Sequence, residues 1–350
     1  MLASPICNWR YTLSATHDHP LTSSASPSQL VFEGSDTRTP LLSIAVPTRC
    51  RFNLLCEAVE SALAQRGDQV VEIVVVDNDP DSRDAERLVE KLPQLRTANF
   101  RYYVNATNIG MFGNWNRCIE LGRGPWHTML HDDDLLDPLF ASTMLGMLKA
   151  HPEVDGIACR KRNLDQRSDP ASDADKGARA RRMLADLRRF GLSNYRQVTP
   201  RILFWANPLG NPVGFVCRKV DAIAAGGYHE EDYPSGDHFF FARYAQRFHL
   251  AQSREALAYF RIAVNETLGE PVIRRLILST WRLQQQYAGT AVPAWWARLT
   301  PLATACEIEG WNRFWKVNVD RRDIEQTIGQ RLPQPNKRLY NLALTMLGGY

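Results

Sequence analysis

The feature that most constrains the fold is the segment 70–77, VVEIVVVD, in which β-branched residues follow one another almost without a break. Such a run is typical of a strand buried on both faces, as in parallel sheets that helices cover on both sides. Apolar runs and segments with helical spacing alternate around it. In chain order they are strand 41–47, helix 53–65, strand 70–77, helix 84–92, strand 100–105, helix 113–122 and strand 126–131. The alternation predicts an α/β fold with a doubly wound, mostly parallel sheet and right-handed crossovers.

The composition is that of a globular protein and argues against several classes. Of 350 residues, 44% are apolar and 23% are charged, and a net charge of +4 is too small to indicate nucleic-acid binding. The seven cysteines include no Cys-x-x-Cys pair, which argues against a zinc site and favours a reducing cytoplasm. We expect neither a signal peptide nor a membrane-spanning segment, because the chain lacks the apolar runs that these require.

The two ends of the chain differ from this middle part. Residues 1–39 are rich in Ser, Thr, Pro and Asp, and we expect them to form a loosely ordered extension. After about residue 270, apolar residues recur with helical spacing and several tryptophans accumulate, which predicts a C-terminal helical extension. These helices either pack on the main domain or contact a membrane surface. The basic segment 178–190 is either a solvated helix face or a contact for a phosphate-bearing acceptor or an anionic membrane.

Acidic residues follow two of the predicted strands. Asp77 closes one strand, and Asp132, Asp133 and Asp134 follow another. Ligands of open α/β sheets bind beyond the carboxyl ends of the strands, so both acid sites should face one crevice. Asp77 alone could be a turn or capping residue, and HDDDLLDP could begin a capped helix. Three adjacent carboxylates repel one another and exceed what a cap needs, which favours a bound Mg²⁺ or Mn²⁺.

Four motifs in this order resemble the family 2 glycosyltransferases of the GT-A fold, which are inverting enzymes that use nucleotide sugars. SIAVPTRCR resembles the opening strand with its Pro-Thr-x-x-Arg motif, and EIVVVDND resembles the second strand with its acidic end. The stretch from NATNIG to HDDD resembles the approach to the metal-binding motif. The segment 226–245, GGYHEEDYPSGDHFFFARYA, resembles the Gly-Gly-aromatic segment and the general-base motif.

The resemblance implies a role for each matching residue. Asp237 would be the general base, although by its position it could instead be the N-cap of the following helix. Asp133 and Asp134 would bind the metal. The positions that would bind the nucleotide sugar are Pro47, Thr48, Arg51, Asp77, Asn78, Asn108, Gly110 and Asp132.

The resemblance also implies a reaction and a domain plan. A sugar, of the hexosyl or deoxyhexosyl class, would move from a nucleotide diphosphate sugar to a hydroxyl of a glycan or lipid-linked acceptor. The setting would be polysaccharide biosynthesis for the cell envelope, at the inner face of the membrane. The catalytic domain would span 40–265, with a nucleotide-binding half at 40–137, an acceptor half at 138–265, and the helical region at 266–350.

Several positions depart from the family pattern. The list is Asn78 for a second acid, Trp115 where arginine is frequent, His131 for the first acid of the metal motif, Gly236 for the glutamate before the base, and Ala263 for a histidine. These departures leave open a non-catalytic nucleotide-sugar-binding protein of transferase descent. A metal-dependent nucleotidyltransferase is a weaker alternative, because PTRCRFN lacks the glycine-rich phosphate loop that such an enzyme should carry after its first strand.

Overall fold

The computed structural model of the protein describes residues 21, 26–166, 190, 191, 193–262 and 269–348. Ala263 and all but one residue of the basic segment 178–190 lie outside the described residues. The strands are β1 Ser28–Glu33, β2 Leu42–Thr48, β3 Val71–Asp77, β4 Phe100–Asn105, β5 Trp126–Met129, β6 Leu135–Leu136, β7 Gly156–Asp165, β8 Tyr195–Gln197, β9 Phe215–Arg218 and β10 Leu250–Ile262. The helices are α1 Phe52–Leu63, α2 Asp84–Lys91, α3 Gly110–Leu121, α4 Phe140–Ala150, α5 Pro200–Trp205, α6 Lys219–Ala224, α7 Gly236–Ala245, α8 Glu270–Tyr287, α9 Thr300–Trp315, α10 Arg321–Ile328 and α11 Lys337–Ala343.

The described strands form one mixed sheet in the order β1-β4-β3-β2-β5-β9-β7-β10-β6, with β8 paired to β10. The four strands predicted from the sequence, β4-β3-β2-β5, are parallel neighbours, which confirms the predicted fold class. Thr48 lies opposite Asp77, and Asp77 lies opposite Val104. The carboxyl ends of three parallel strands therefore finish at the same level.

Each face of the sheet carries its own apolar core. In β3 the odd-numbered Ile73 and Val75 pack with α1, α2 and α4 on one side, whereas Val74 and Val76 pack with α3 and the later helices on the other. Successive side chains of a strand point to opposite faces, so a strand covered on both sides must be apolar at nearly every position. This explains the nearly unbroken apolar run in the sequence.

The prediction of a loosely ordered extension at 1–39 is wrong for Ser28–Glu33. This segment forms β1 and pairs antiparallel with β4 at the edge of the sheet. Its centre, Leu30-Val31-Phe32, has β-forming residues. Leu30 and Val31 stay exposed, as expected for an edge strand, so the segment lacks the alternating burial pattern by which a strand is recognised in a sequence.

The C-terminal helices pack on the main domain, which is the first of the two arrangements expected from the sequence. Leu283 and Tyr287 of α8 and Trp296 belong to the same apolar core as α3 and α7. A buried carboxylate, Asp232, pairs with Arg243 of α7 at 2.6 Å and with Arg282 of α8 at 3.2 Å. Among the described residues, no helix is both long enough and apolar enough to cross a membrane.

Candidate active site

The carboxyl ends of β2, β3 and β5 meet in one place, as the sequence predicts. The hydroxyl of Thr48, at the end of β2, donates a hydrogen bond to Oδ2 of Asp132 at 2.8 Å. The backbone N–H of Asn78, just after β3, donates to the carbonyl of Thr48 at 2.9 Å. The acids that follow β3 and β5 thus stand at one edge of the sheet.

The acidic cluster of Asp132, Asp133 and Asp134 has one arginine at its mouth. Nη1 of Arg51 lies 3.3 Å from Oδ1 of Asp132 and 3.1 Å from Oδ2 of Asp133. Burial, and then the charge of Asp133, raise the pKa of Asp132 to about 6 and that of Asp134 to about 7. Arg51 contacts two of the three carboxylates, and the pKa values of Asp132 and Asp134 stay raised despite the nearby positive charges, so the cluster favours a further cation.

Two residues from distant parts of the chain hold this cluster in place. The carboxylate of Asp134 accepts hydrogen bonds from the backbone N–H of Arg261 and from Nδ2 of Asn211, both at 2.9 Å. The side chain of Arg261 donates through Nε to the carbonyl of Asp133 at 2.8 Å and through Nη2 to Glu57 at 2.6 Å. Neither Arg261 nor Asn211 was among the site residues predicted from the sequence. A signal existed for Arg261, which lies two residues before Ala263, a position already compared with the family pattern.

His131 joins the cluster as a third potential ligand. Ligand atoms of His131, Asp133 and Asp134 lie within 4.8 Å of one another. Nε2 of His131 is buried and has no hydrogen-bond partner among the described residues. Burial lowers the pKa of His131 to about 4, so the imidazole is neutral near pH 7 and keeps a lone pair for a metal. One imidazole and two carboxylates are a donor set that fits a divalent transition metal.

The predicted nucleotide-binding residues are mostly buried at this edge. Of the eight, Arg51 and Asn108 are exposed and Gly110 is partly exposed, whereas the other five are buried. Oδ2 of Asp77 accepts a hydrogen bond from the hydroxyl of Tyr102 at 2.7 Å. Burial raises the pKa of Asp77.

The side chain of Asn78 is hydrogen-bonded to the segment 105–110. Its Nδ2 donates to Oδ1 of Asn108 at 2.8 Å and to the carbonyl of Gly110 at 3.0 Å. Its Oδ1 accepts from Nδ2 of Asn105 and from the backbone N–H of Ile109, both at 3.0 Å. In this conformation both donor hydrogens are used, so the Asn78 amide has no donor left for a nucleobase.

Asp237 lies in the first turn of α7, while the N-cap position is Ser235. Its Oδ1 accepts a hydrogen bond from the N–H of the next residue, His238, at 2.7 Å. The structure therefore does not support the alternative that Asp237 is the N-cap. Burial raises the pKa of Asp237 to about 6, and the positive charge of Lys161 offsets part of that increase.

The charge of Lys161 interacts with Asp134 of the acidic cluster and with Asp237. Lys161 stands on β7, and its Nζ donates to the carbonyls of Leu209 at 2.5 Å and Asn211 at 2.6 Å. Burial lowers the pKa of Lys161 to about 8, against the opposing charges of Asp134 and Asp237. One cation thus interacts with both carboxylates. No motif in the sequence indicated a role for Lys161.

Gly236 stands where the family pattern has glutamate, and the packing gives a reason. A Cβ at this position would collide with the ring of Phe112 in α3. Phe112 packs edge-on to Trp115 with 5.3 Å between ring centroids and is stacked with Tyr228 at 6.1 Å. The space next to the start of α7 is therefore filled by an aromatic side chain.

Comparison with known proteins supplies the family. Residues 43–201 match the family model described as glycosyl transferase family 2. This match identifies residues 43–201 as a segment of the glycosyl transferase family 2 type. The matched segment includes the first predicted strand, the acidic cluster and Lys161, and the resemblance seen in the motifs is thereby confirmed.

Relatives in sequence are mycobacterial. The chain is 28% identical over 283 residues, 75% of its own length and 85% of the other, to the uncharacterized protein MT1568 of Mycobacterium tuberculosis (strain CDC 1551 / Oshkosh). It is 32% identical over 101 residues, 28% of each chain, to the uncharacterized protein Rv1520 of Mycobacterium tuberculosis (strain ATCC 25618 / H37Rv).

Similar solved structures confirm the GT-A type of fold for this glycosyltransferase domain. TarS 1–349 of S. aureus, in complex with UDP, has a TM-score of 0.53 and 16% identity, with 83% of this chain and 75% of that chain covered. The mannosyltransferase PcManGT of Pyrobaculum calidifontis, in complex with GDP-Man and Mn²⁺, has a TM-score of 0.53 and 16% identity, with coverage of 89% and 85%.

Proposed function

We propose that this glycosyltransferase is an inverting, metal-dependent enzyme that transfers a hexosyl or deoxyhexosyl group from a nucleotide diphosphate sugar to a hydroxyl group. The observation that carries the proposal is the arrangement of carboxylates around Lys161. The charge of Lys161 interacts both with Asp134, in the cluster suited to a cation, and with Asp237, a carboxylate whose pKa is raised. A reaction that needs both a charged leaving group and a base fits this pair of sites.

The donor side is the crevice at the carboxyl ends of β2, β3 and β5. The relatives in structure bind UDP or GDP-Man, which supports a nucleoside diphosphate sugar as donor for this chain. Thr48, Asp77 and Asp132 form the floor of the proposed pocket, and Arg51 stands exposed at its mouth. We propose that Asn78 shapes the pocket through its hydrogen bond to Asn108 and does not contact the nucleobase.

The metal would be held by Asp133, Asp134 and His131. A divalent cation bound there supplies positive charge next to the diphosphate, where negative charge grows as the glycosidic bond breaks. Asp132 and Arg51 hold the orientation of the cluster through their ion pair at 3.3 Å. Arg261 and Asn211 fix the backbone and carboxylate on the other side.

Asp237 is the proposed general base. The acceptor hydroxyl attacks poorly until its proton is removed, and a carboxylate with a pKa of about 6 is ionised near neutral pH while still basic enough to take the proton. Attack by the acceptor on the face opposite the leaving group then inverts the anomeric centre. The position of Asp237 in the first turn of α7 fixes the direction of its carboxylate.

Asp237→Asn tests this role, since asparagine keeps the shape but cannot accept the proton. We expect turnover to fall by about 10² to 10⁴-fold with little change in nucleotide-sugar affinity. Asp221→Asn is the matched control, because Asp221 also lies in the first turn of a helix and burial also raises its pKa. It follows β9, whose end lies beside the amino end of β5, at the opposite edge of the sheet.

The readout is the release of free nucleoside diphosphate from a panel of nucleotide sugars with Mg²⁺ or Mn²⁺, with and without candidate acceptors. Turnover of the Asp237→Asn variant within a few-fold of the parent would remove Asp237 from the mechanism. If none of the donors yields free nucleoside diphosphate, the non-catalytic alternative is favoured. Release of pyrophosphate from a sugar phosphate and a nucleoside triphosphate would indicate a nucleotidyltransferase.

We also propose that the acceptor is a glycan or lipid-linked sugar met at the inner face of a membrane. Leu339, Leu342 and Met346 are exposed and recur at three- and four-residue spacing near the end of the described chain. The stretch 329–348 carries three basic residues and no acid. An apolar face with basic neighbours suits an anionic membrane surface. In a flotation assay we expect the protein to float with anionic lipid vesicles but not with neutral ones. A protein that floats with neither kind of vesicle would contradict the proposal.

A further inference from the structure

The metal cluster carries an imidazole at a position where a carboxylate would be the simplest choice for a hard cation. Nδ1 of His131 lies 3.8 Å from Oδ2 of Asp134, too far for a hydrogen bond. The other ring nitrogen, Nε2, is buried and unpartnered among the described residues. Nδ1, the nitrogen that faces Asp134, thus has no hydrogen bond to that carboxylate that a metal ion would have to replace.

The ring of His131 is held in a fixed plane. Trp115 of α3 stacks on it with 4.7 Å between the ring centroids and an interplanar angle of 29°. Trp115 is in turn packed edge-on against Phe112 and Tyr228, at 5.3 and 5.0 Å. The imidazole is thus oriented before any ion arrives, so little rotational freedom is lost when a nitrogen becomes a ligand.

The pair of Trp115 and His131 is chemically consistent. An arginine at position 115 would place a cation beside the ring and disfavour a nearby metal ion, whereas the indole face is neutral. The stack also keeps water from the covered face of the imidazole. Both departures from the family pattern therefore act in the same direction, toward a neutral ring that is free to ligate.

We infer that His131 is a nitrogen ligand of the bound metal and that it makes the site prefer Mn²⁺ over Mg²⁺; the inference rests on the metal dependence proposed above. Mg²⁺ binds oxygen ligands almost exclusively, whereas Mn²⁺ and later divalent ions also accept imidazole. The acids Asp133 and Asp134 provide charge for either ion. The histidine provides the discrimination between them.

Pulsed electron paramagnetic resonance of bound Mn²⁺ tests this directly, in the presence of UDP or GDP. A coordinated imidazole gives a hyperfine signal from ¹⁴N that changes when the protein is labelled with ¹⁵N-histidine, and the nucleotide gives a separate signal from ³¹P. We expect both signals in the parent protein. His131→Asn and His131→Asp should lose the nitrogen signal, and His131→Asp should keep the ³¹P signal. His151→Asn, which changes a histidine beside Glu153 on another helix end, should keep both signals.

Calorimetry gives an independent measure. The ratio of the Mg²⁺ dissociation constant to the Mn²⁺ dissociation constant should fall by about tenfold or more in His131→Asp, in line with the usual effect of exchanging a ligand or its support. A parent protein that shows the ³¹P signal without the nitrogen signal would overturn the role of His131 and leave the metal dependence standing. A parent protein that binds neither Mn²⁺ nor Mg²⁺ with nucleotide would overturn both. Thermal melts of each variant identify any that fail to fold, and the parent spectrum decides the question without them.

Discussion

Arg261 connects the end of β10 to the metal cluster, and its replacement by methionine gives the sharpest test of how the cluster is positioned. The arginine side chain is only 5% exposed, and its Nε donates to the carbonyl of Asp133 at 2.8 Å. Methionine fills a similar space but cannot donate. The backbone N–H at position 261 remains and keeps its bond to Asp134 at 2.9 Å. The change therefore removes support from Asp133 specifically.

The expected magnitude has two parts. Leaving the Asp133 carbonyl without its charged donor costs about 1–3 kcal/mol of unfolding free energy. The ion pair with Glu57 adds at most about 1 kcal/mol, since the Glu57 side chain is 51% exposed. We expect a total loss of about 1–4 kcal/mol in Arg261→Met. Metal affinity should fall by about 10 to 100-fold, the usual effect of losing a residue that supports a ligand.

Denaturant unfolding measures the first quantity, and calorimetric titration with Mn²⁺ and a nucleoside diphosphate measures the second. Glu57→Gln is the control, because it removes the ion pair at 2.6 Å and leaves the bond to Asp133. It should lose about 1 kcal/mol or less and bind metal like the parent. If Arg261→Met loses stability but binds metal within twofold of the parent, the arginine is a packing residue and does not position Asp133.

Two further predictions concern the same crevice. Asp133→Ala should abolish the rise in melting temperature that a nucleoside diphosphate and Mn²⁺ together produce, while leaving the melting temperature without ligands near that of the parent. A retained rise would show that Asp133 does not hold the ion. Lys161→Met should move the acid limb of the turnover–pH profile upward, because the lysine charge lowers the pKa of Asp237 and its loss lets burial raise that pKa above about 6. A profile that moves downward or stays in place would separate Lys161 from the proposed base.

The parts of this molecule that follow local rules were predictable from the sequence. The buried strand β3 shows its environment through residue type alone, and the acids after β3 and β5 lie together because parallel strands end at one edge. β1 was not predicted, since an edge strand with one exposed face leaves a weak pattern. Arg261 and Lys161 were not assigned roles, because their partners are some 30 to 200 positions away along the chain and the pairing of β7 with β10 places them near the crevice.

In the candidate site, too, residue identities were predictable from motifs, whereas pKa shifts and hydrogen-bond partners were not. The identity of Asp237 as a candidate base follows from its motif, but the raised pKa follows from burial, which a sequence does not display. Asn78 looked like a recognition residue because of its position after β3. Its four hydrogen bonds show that the amide is fully occupied, and this is visible only once the segment carrying Asn108 is in place.

Asp232 is buried between two arginines, and this arrangement limits which substitutions can accumulate independently during evolution. Arg243 belongs to the helix that carries Asp237, and Arg282 belongs to the C-terminal region. A chimera that joins this catalytic region to the tail of a relative would leave the carboxylate with one counter-ion unless the incoming tail has a cation in register. The strain would appear five residues before the proposed base, far from the splice. Substitutions at position 282 and in the turn before α7 should therefore be inherited together, although position 282 lies in α8, outside the predicted catalytic domain at 40–265.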